Sequence, residues 1–527
     1  MIDRVAVLGA VAAVIVAVAC ASQGNPKPSV PRVEPAARTA AGAPERVLFT
    51  GSDDGYLDAC GCDDGLLGGL PRRHTLLRRL GSEGDGALVL SNGRLVAGSS
   101  PLDQMKFDAI LLAMATMGYD GIALTERELA LGRARIAEMA EFLGDDCPFL
   151  ATNLVDAARP GARAGKVAQP LPCARALVRN VAGREIVVLA AVAASRGDLY
   201  RTADPDVRVA DPERALREEI ARHEKAWKVV VLGQMSLEEA EALARATGRI
   251  DLLIVQGPDY DDHPQEGALR AGTTTIVTTG RKGKFVGSFR FGGAGEPDRF
   301  EPEPVEDTIL KSSDVQDVVI RTYRDPLLEN SPRPIEAYFE RTPTKSGAEY
   351  VGADEGSCAG CHPKAWETWA TSRHSRAWKT LVDQDLPPAP DDRKGRLKNA
   401  IWDPDCVKCH VTGFGEVSGY AGIEKEALRP EAPLVNVTCE ACHGPAGDHA
   451  ERASRGDPSW PGAHAPHVPG EADFAADPAK AQRDFAAAEA LCMRCHDPDN
   501  SPVFELRPYW KGLVRGEQRE AVAHGRE

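Results

Sequence analysis

The chain has 527 residues, of which 43% are hydrophobic and 27% are charged. This length predicts two or more domains, each large enough to bury its own core. The formal net charge of −15 argues against a nucleic-acid partner, because an acidic surface is repelled by phosphate. A basic protein is a partner that such a surface would attract.

Residues 1–20 predict an export signal. Arg4 precedes a run of about 15 apolar and small residues, which is short for a transmembrane helix and suits a secretory signal. The run ends at Ala17-Val18-Ala19-Cys20, which resembles a bacterial lipobox, with Ala17 where leucine is usual. We expect a lipidated Cys20 that tethers the protein in the periplasm or cell envelope; ordinary signal cleavage nearby is the alternative. Residues 21–45, rich in proline and alanine, predict an extended tether.

Residues 46–300 alternate short apolar runs with runs of helical period. Strands are expected in RVLFTG, ALVLSNG, CPFLATNL, REIVVLAAV, AWKVVVLG, RIDLLIVQG and TTTIVTTG. Helices are expected in HTLLRRL and SLEEAEALARATG, and a helix followed by a strand in MKFDAILLAMATMGYDGIAL. This alternation predicts a layered α/β domain. Residues 301–345 combine the helical run DVQDVVIRTY with a proline-rich stretch and predict a connector.

Two segments near the start of this domain carry a family likeness, VLFTGSDDGYLDACGC and GGLPRRHTLLRRL. They resemble the opening of the 5′-nucleotidase branch of the calcineurin-like metallophosphoesterases, and the likeness in order and spacing extends over the α/β region. The resemblance implies a two-metal site. Its ligand positions are occupied here by Ser52, Asp54, Asn92-Gly93-Arg94, Thr125-Glu126-Arg127-Glu128, Gln234 and Gly257-Pro258-Asp259-Tyr260.

Arginine at two of these positions argues against a metal site. A two-metal phosphoesterase needs carboxylate and imidazole ligands, whereas a guanidinium cannot coordinate and repels a dication. We therefore expect Arg94 and Arg127 to stand in the place of the metal and to pair with Asp53, Asp54 or Glu128. The domain is predicted to hold no divalent metal and to lack phosphoesterase activity.

Four cysteines of this domain need a separate explanation. Because the protein is expected outside the cytoplasm, Cys147 and Cys173 are a plausible disulfide. Cys60 and Cys62 lie beside the former metal site. They are open to three interpretations: structural pairing, metal binding or a redox switch.

The remaining residues, 346–527, contain a repeated Cys-x-x-Cys-His pattern. It occurs at Cys358-Ala359-Gly360-Cys361-His362, Cys406-Val407-Lys408-Cys409-His410, Cys439-Glu440-Ala441-Cys442-His443 and Cys492-Met493-Arg494-Cys495-His496. This is the pattern of c-type haem attachment, in which two thiols bind the porphyrin edge and the histidine ligates iron. A zinc knuckle does not require the adjacent histidine, and a redox dithiol would occur once. The sequence predicts four covalently bound haem c groups in a mainly α, loop-rich domain.

The flanks of these motifs resemble the tetrahaem cytochrome c-554 family. The likeness rests on YVGADEGSCAGCHPKAWETWATSRHSRAWKTL, CVKCHVTGFG, CEACHGPAGDH and CMRCHDPDNSPVF, in that order. It implies that His449 is the distal iron ligand of the first haem and His374 that of the fourth. The alternatives are a solvated loop histidine for His449 and a helix-surface histidine for His374.

The distal positions of the other two haems are less defined. In the family a histidine near the C-terminus ligates the third haem, and Arg515 occupies that place here. His464, His467 or His524 are the substitutes, or the position is vacant. The second haem, at Cys406 and Cys409, is typically five-coordinate in the family.

We expect an exported, membrane-tethered electron-transfer protein with redox partner proteins, whose donor and acceptor the sequence does not identify. One alternative is a haem enzyme that acts on small nitrogen or oxygen species at the five-coordinate haem, in which case no catalytic side chain can be named. The other is a metal-dependent nucleotidase with a cytochrome tail.

Overall fold

A computed structural model describes residues 46–59, 65–82, 87–143, 148–157, 170–181, 184–257, 262–292, 296–329, 341–352, 358–384, 400–420, 434–457 and 466–514. Several predictions concern residues outside these ranges. They are the export signal, the tether and Cys20, and also Cys60, Cys62, Cys147, Pro258-Asp259-Tyr260, His464, Arg515 and His524. The disulfide between Cys147 and Cys173 therefore stays a prediction.

Among the described residues of the N-terminal domain, fourteen strands form the framework. They are β1 (Arg46–Thr50), β2 (Leu88–Ser91), β3 (Gly121–Ala123), β4 (Phe149–Leu150), β5 (Leu154–Asp156), β6 (Ala176–Val181), β7 (Arg184–Val192), β8 (Val207–Val209), β9 (Lys228–Gln234), β10 (Leu252–Gln256), β11 (Leu269–Ala271), β12 (Thr274–Thr279), β13 (Phe285–Arg290) and β14 (Arg299–Pro304). Each apolar run that the sequence predicted as a strand contains one of them.

Twelve of the strands build two mixed sheets. The first has the order β14-β13-β1-β2-β3-β4, and the second has the order β11-β12-β10-β9-β7-β6. In the first sheet β1 to β4 are parallel, and in the second β7, β9, β10 and β12 are parallel. In the first sheet β13 is antiparallel to both of its neighbours, and in the second sheet the edge strands β6 and β11 are antiparallel. β5 pairs with β8 in a small separate ribbon.

The two sheets pack face to face. Alternate residues of β7 show this, because Val188 and Ala190 join a buried cluster with Phe49 and Leu90 of the first sheet. Val187, Leu189 and Ala191 point the other way, into a second buried cluster with helical residues such as Leu216 and Leu243. A strand buried on both faces reads as a continuous apolar run, which is why β7 was visible in the sequence.

Helices cover the outer faces of the sheets. They are α1 (Leu70–Ser82), α2 (Pro101–Met117), α3 (Glu126–Leu129), α4 (Arg133–Leu143), α5 (Gly197–Ala203), α6 (Pro212–Arg222), α7 (Leu237–Thr247), α8 (Ser313–Val319) and α9 (Asp325–Glu329). The ends of α2 explain its position, because Ser100 and Asp103 form a capping box and Gly118 ends the helix at φ 76°.

The boundary between this domain and the connector differs from the one that the sequence suggested. β14 runs from Arg299 to Pro304 and pairs with β13 along its whole length, so the sheet crosses residue 300. α8 packs against α1 and α2, because its Val315 and Val319 are buried. The first part of the predicted connector therefore belongs to the α/β domain.

The C-terminal region is helical and rich in loops, as predicted. Its helices are α10 (Pro363–Thr371), α11 (Ala377–Gln384), α12 (Pro404–Val407), α13 (Cys439–His443), α14 (Gly447–Ser454), α15 (Glu471–Ala476), α16 (Pro478–Cys492) and α17 (Leu506–Val514). One buried apolar cluster holds Trp378, Leu381, Val407, Val411 and Tyr420. Among the described residues, no helix is long and apolar enough to cross a membrane.

Candidate haem sites and the adjoining cleft

The first Cys-x-x-Cys-His motif faces the histidine that was predicted as its distal partner. The ring centroids of His362 and His449 lie 6.0 Å apart, with an angle of 31° between the rings. Two imidazoles that bind one metal from opposite sides, each with nitrogen about 2 Å from it, have centroids about 6 Å apart. The two rings therefore leave the space that an iron atom between them requires.

The fourth motif has the same relationship to His374. The ring centroids of His374 and His496 lie 6.1 Å apart. Nδ1 of His496 shares a hydrogen bond of 3.0 Å with the Ser501 hydroxyl, and the Phe504 ring stacks on His496 at 4.8 Å between centroids. These contacts fix the orientation of the His496 imidazole.

In the second motif, the protonation of His410 follows from its contact. Nδ1 of His410 lies 2.5 Å from the Ala377 carbonyl oxygen, which can only accept, so Nδ1 carries the proton and donates. Burial lowers the pKa of His410, which keeps the ring neutral. Its Nε2 therefore has the free lone pair that iron binding needs.

The third motif supplies another neutral imidazole. Burial, and then the charge of His362, lower the pKa of His443. Of the histidines proposed as its distal partner, His467 is the one that the structure describes. His467 is exposed and lies 3.5 Å from the Asp473 carboxylate. The ligand on the distal side of the third haem stays a prediction.

The four motifs adjoin one another in a fixed order. The side chains of Cys409 and Cys495 interact with each other, so the second motif lies beside the fourth. The thiols of Cys358 and Cys439 do the same for the first and third. Cys442 of the third motif interacts electrostatically with Cys492 of the fourth. The attachment sites therefore form one continuous row, in the order second, fourth, third, first.

One residue that holds this row together was missed from the sequence. Glu440 is buried inside the third motif, and its carboxylate accepts hydrogen bonds from the backbone N–H groups of Val351, Gly352 and Ala446 at 3.1, 2.7 and 2.8 Å. It thereby ties the chain before the first motif to the chain before His449. Glu440 occupies a variable position of the Cys-x-x-Cys-His pattern, so no spacing rule singles it out.

In the α/β domain, the positions that resemble metal ligands are occupied by ion pairs. Arg94 donates to the Asp54 carboxylate at 3.0 Å, as the sequence predicted. The second guanidinium at Asp54 is that of Arg281, at 2.9 Å. The prediction for Arg127 is wrong, because Nη1 of Arg127 donates to the Ala97 carbonyl instead. Arg94 adopts the left-handed backbone conformation (φ 59°) that glycine usually takes.

The side chains at and beside the other positions that resemble metal ligands form hydrogen bonds within the α/β domain. Asp53 is fully buried and forms a two-bond ion pair with Arg73. Nε2 of Gln234 donates to the backbone and side-chain oxygens of Asn92 at 2.6 and 2.9 Å. Glu128 accepts from the backbone N–H of Leu95 and caps α3 through Thr125. These side chains brace the sheet ends against each other.

Three lysines of the α/β domain contact residues beside the haem motifs. Lys282 and Lys284 each bind the Asp499 carboxylate at 2.5 Å, three residues after His496, and Lys106 pairs with Asp405, next to Cys406. Burial alone would raise the pKa of Asp499, but the hydrogen bonds and charges of both lysines outweigh burial and lower it to about 2. We call Lys106, Arg281, Lys282 and Lys284 the cationic face.

The motifs and the facing imidazoles are features typical of c-type cytochromes, and they lie in a region that is joined to an α/β domain. Residues 357–444 match the family model described as Cytochrome c554 and c-prime. Cytochrome c-554 of Nitrosomonas europaea is 34% identical over 161 residues, which are 29% of this chain and 59% of that protein. The chain thus spans less than two thirds of the length of this relative.

The N-terminal domain is similar in fold to solved phosphoesterases. A 5′-nucleotidase precursor from Thermus thermophilus aligns with a TM-score of 0.43 and 19% identity, over 55% of this chain and 60% of that chain. The calcineurin-like phosphoesterase YfkN from Bacillus subtilis aligns with a TM-score of 0.44 and 15% identity, over 55% of this chain and 98% of that chain. These likenesses concern the fold alone.

Proposed function

We propose that the protein is a tetrahaem c-type cytochrome that transfers electrons between redox partner proteins outside the cytoplasm. The observation that carries this proposal is the separation of the two imidazole pairs, 6.0 Å for His362 and His449 and 6.1 Å for His374 and His496. Each pair would supply two imidazole ligands to one haem iron, His362 with His449 and His374 with His496. Such a site suits electron transfer, because little must rearrange when its charge changes.

Haem c, when bound, supplies an iron that accepts and returns one electron. The chain would hold it with the two cysteines and the histidine of each motif: Cys358, Cys361 and His362; Cys406, Cys409 and His410; Cys439, Cys442 and His443; Cys492, Cys495 and His496. The continuous row of attachment sites keeps neighbouring groups close. The Phe504 ring covers one side of His496.

The test of this function is a haem count with a redox titration. A pyridine haemochrome assay and the intact mass should both give four covalent haems, and the reduced protein should lose electrons in several one-electron steps. A count of three or fewer, or zinc in place of iron, would refute the proposal. Spectra recorded with nitric oxide or hydroxylamine test the haem-enzyme alternative, because turnover of either at an open iron would favour it.

We further propose that the α/β domain has lost phosphoesterase activity. The support is electrostatic: Arg94 and Arg281 occupy both sides of the Asp54 carboxylate, which leaves a dication with two positive neighbours. The full-length protein should not hydrolyse AMP or a generic phosphate ester with any divalent cation. Metal-dependent turnover that survives purification to homogeneity would overturn this.

The location is also a proposal. Covalent haem attachment to exported chains and the lipobox-like Ala17-Val18-Ala19-Cys20 favour a lipid anchor that faces the periplasm or exterior. A Cys20→Ser variant should be released from membranes as soluble protein, while a Ser22→Ala variant should stay with them. Unchanged membrane fractionation of the Cys20→Ser variant would contradict the anchor.

A further inference from the structure

We propose that the face of the α/β domain that resembles a phosphoesterase active site now binds the haem domain of its own chain, and that its positive charges set the reduction potentials of the second and fourth haems. The effect on reduction potentials rests on the proposed function, because it requires the haems to be present. The binding of the haem domain to this face rests only on contacts between side chains.

The first contact is a shared ion cluster at the fourth motif. The Asp499 carboxylate lies between Lys282 and Lys284, at 2.5 Å from each. Both lysines also bind Asp262 of the α/β domain, at 3.2 and 2.8 Å. The cluster thus holds two positive and two negative charges, and only one of its members belongs to the haem domain. Without Asp499, the α/β domain would present an uncompensated lysine.

The ring and the hydroxyl of Tyr56 complete this contact. The Lys282 ammonium lies over the Tyr56 ring, 5.8 Å from its centroid, and Tyr56 forms a hydrogen bond with Asp499. Burial, and then the charge of Asp499, raise the pKa of Tyr56, so its hydroxyl stays protonated and donates to the carboxylate. The Asp499 side chain is only 10% exposed, which limits screening by salt.

The second contact lies at the second motif. Lys106 of α2 pairs with Asp405 and is 11% exposed. The aliphatic part of the Lys106 side chain lies against the loop that contains Gly55. A Cβ added at Gly55 would be only 3.3 Å from Cδ of Lys106. Near it, the buried Tyr323 hydroxyl donates to Asp403 at 3.0 Å, and Arg324 lies 3.8 Å from the same carboxylate.

The geometry of the backbone supports a specialised surface. Ser52 (φ 52°), Asp54 (φ 49°), Arg94 (φ 59°) and Lys282 (φ 52°) all adopt the left-handed conformation, which side chains other than glycine avoid. Such residues persist only where their surroundings hold them, and they cluster at functional sites. Here the backbone N–H of Lys282 donates to the Ser52 carbonyl at 2.7 Å. The two strained loops therefore support each other and aim Lys282 at Asp499.

The two contacted motifs are neighbours. Asp405 precedes Cys406, Asp499 follows His496 by three residues, and the side chains of Cys409 and Cys495 adjoin each other. The cationic face therefore covers one end of the row of attachment sites, whereas Cys361 at the other end is exposed. Electron exchange with a partner protein is consequently expected at the first haem.

The charges have a predictable effect on redox chemistry. A ferric haem carries one more positive charge than a ferrous haem, so a nearby uncompensated carboxylate favours the ferric state and lowers the reduction potential. Lys106, Lys282 and Lys284 compensate Asp405 and Asp499. Their removal should shift the potentials of the second and fourth haems to more negative values. The first and third haems should keep theirs.

The experiment uses the full-length holoprotein and compares Lys282→Gln/Lys284→Gln with the wild type and with Arg245→Gln, a control that removes an exposed cation paired within α7. Hydrogen exchange should increase in residues 46–59 and 400–410 in the double variant only. Spectroelectrochemical titration should show one of the four transitions, that of the fourth haem beside Asp499, moved to more negative potential. Unchanged exchange and unchanged potentials in a protein with four haems would overturn the inference.

A charge exchange keeps the test valid if single variants fold poorly. Lys106→Glu and Asp405→Lys should each increase hydrogen exchange at the contact, and the double variant Lys106→Glu/Asp405→Lys should restore the wild-type protection. Absence of rescue in a correctly folded double variant would also refute the docking surface. A haem count below four would instead refute the proposed function. Hydrogen exchange of the Lys106 and Asp405 variants would in that case still test the docking surface.

Discussion

The imidazole of His449 lies 6.0 Å from that of His362, between ring centroids, although 87 residues separate them in the chain. His362 ends the first Cys-x-x-Cys-His motif, and His449 lies in the first turn of α14. Glu440 holds the two histidines in this arrangement, because its carboxylate accepts hydrogen bonds from the backbone shortly before the first motif and shortly before His449. A pair held in this way is preorganised for the iron that we propose it binds.

Removal of one distal imidazole should change one haem. We expect His449→Ala to convert the first haem from low to high spin and His374→Ala to convert the fourth, because a vacant position weakens the ligand field. Each change should also move the potential of the affected haem, since the axial ligand is a main determinant of it. Magnetic circular dichroism and redox titration measure both effects. His223→Ala in the α/β domain is the control, and spectra unmoved by both substitutions would reject the ligand assignment.

Glu440 should be needed for stability as well as for haem geometry. Glu440→Ala leaves the N–H groups of Val351, Gly352 and Ala446 without their carboxylate. A buried unsatisfied group such as that of Gly352 costs about 1–3 kcal/mol, and the half-buried groups of Val351 and Ala446 cost less. We expect a loss of about 2–5 kcal/mol in the free energy of unfolding, measured by urea denaturation. Glu451→Ala removes an exposed carboxylate of α14 and should change it by less than about 1 kcal/mol. Equal effects of the two substitutions would argue against the structural role of Glu440.

Local patterns made most of the elements predictable. β7 and β9 are continuous apolar runs, and α7 has both a capping box at Ser236 and a terminal Gly248, so their identity is written in neighbouring residues. The division into two facing sheets was not predictable, because the same apolar run suits either sheet. That choice is made by pairing between strands that are distant in sequence, such as β1 with β13.

The site was predictable to a different degree in the two domains. The haem motifs are visible because covalent chemistry fixes their spacing. The cationic face was missed because its partners are far away: Arg281 binds Asp54 over 227 residues, and Lys284 binds Asp499 over 215 residues. An ordinary lysine in a loop carries no sequence signal for such a contact. The likeness to a metal site directed attention to Arg127, whose guanidinium lies elsewhere.

The buried pair of Asp53 and Arg73 should be essential for the α/β domain. Both side chains are fully buried, so removal of one charge leaves the other uncompensated, at a cost of about 3–5 kcal/mol. We expect Asp53→Asn to lower the thermal midpoint of the α/β domain strongly in calorimetry. Asp198→Asn, at an exposed pair with Arg201, should have little effect. An Asp53→Asn variant as stable as the wild type would show that the pair adds nothing to the fold.

The contact between the cationic face and Asp499 should weaken only in acid. Lys282, Lys284 and Tyr56 face the carboxylate, and the two lysines hold its pKa at about 2, below the ordinary value of 3.8. Because the pKa of Asp499 is depressed, the ionised carboxylate stabilises the folded protein fully above pH ~4, and this stabilisation disappears as the pH falls through ~2. One pKa unit corresponds to about 1.36 kcal/mol, so the stabilisation is about 2 kcal/mol.

We therefore expect hydrogen exchange of residues 46–59 to stay slow from pH 5 to pH 8 and to rise between pH ~4 and pH ~2, as the carboxylate takes up a proton. The Asp499→Asn variant has no carboxylate to titrate, so its exchange should already be faster at pH 7 and should depend less on pH in the acid range. Asp484→Asn, which removes an exposed partner of Lys480 on α16, should follow the wild-type profile. Identical profiles for Asp499→Asn and the wild type would show that Asp499 does not hold the two domains together.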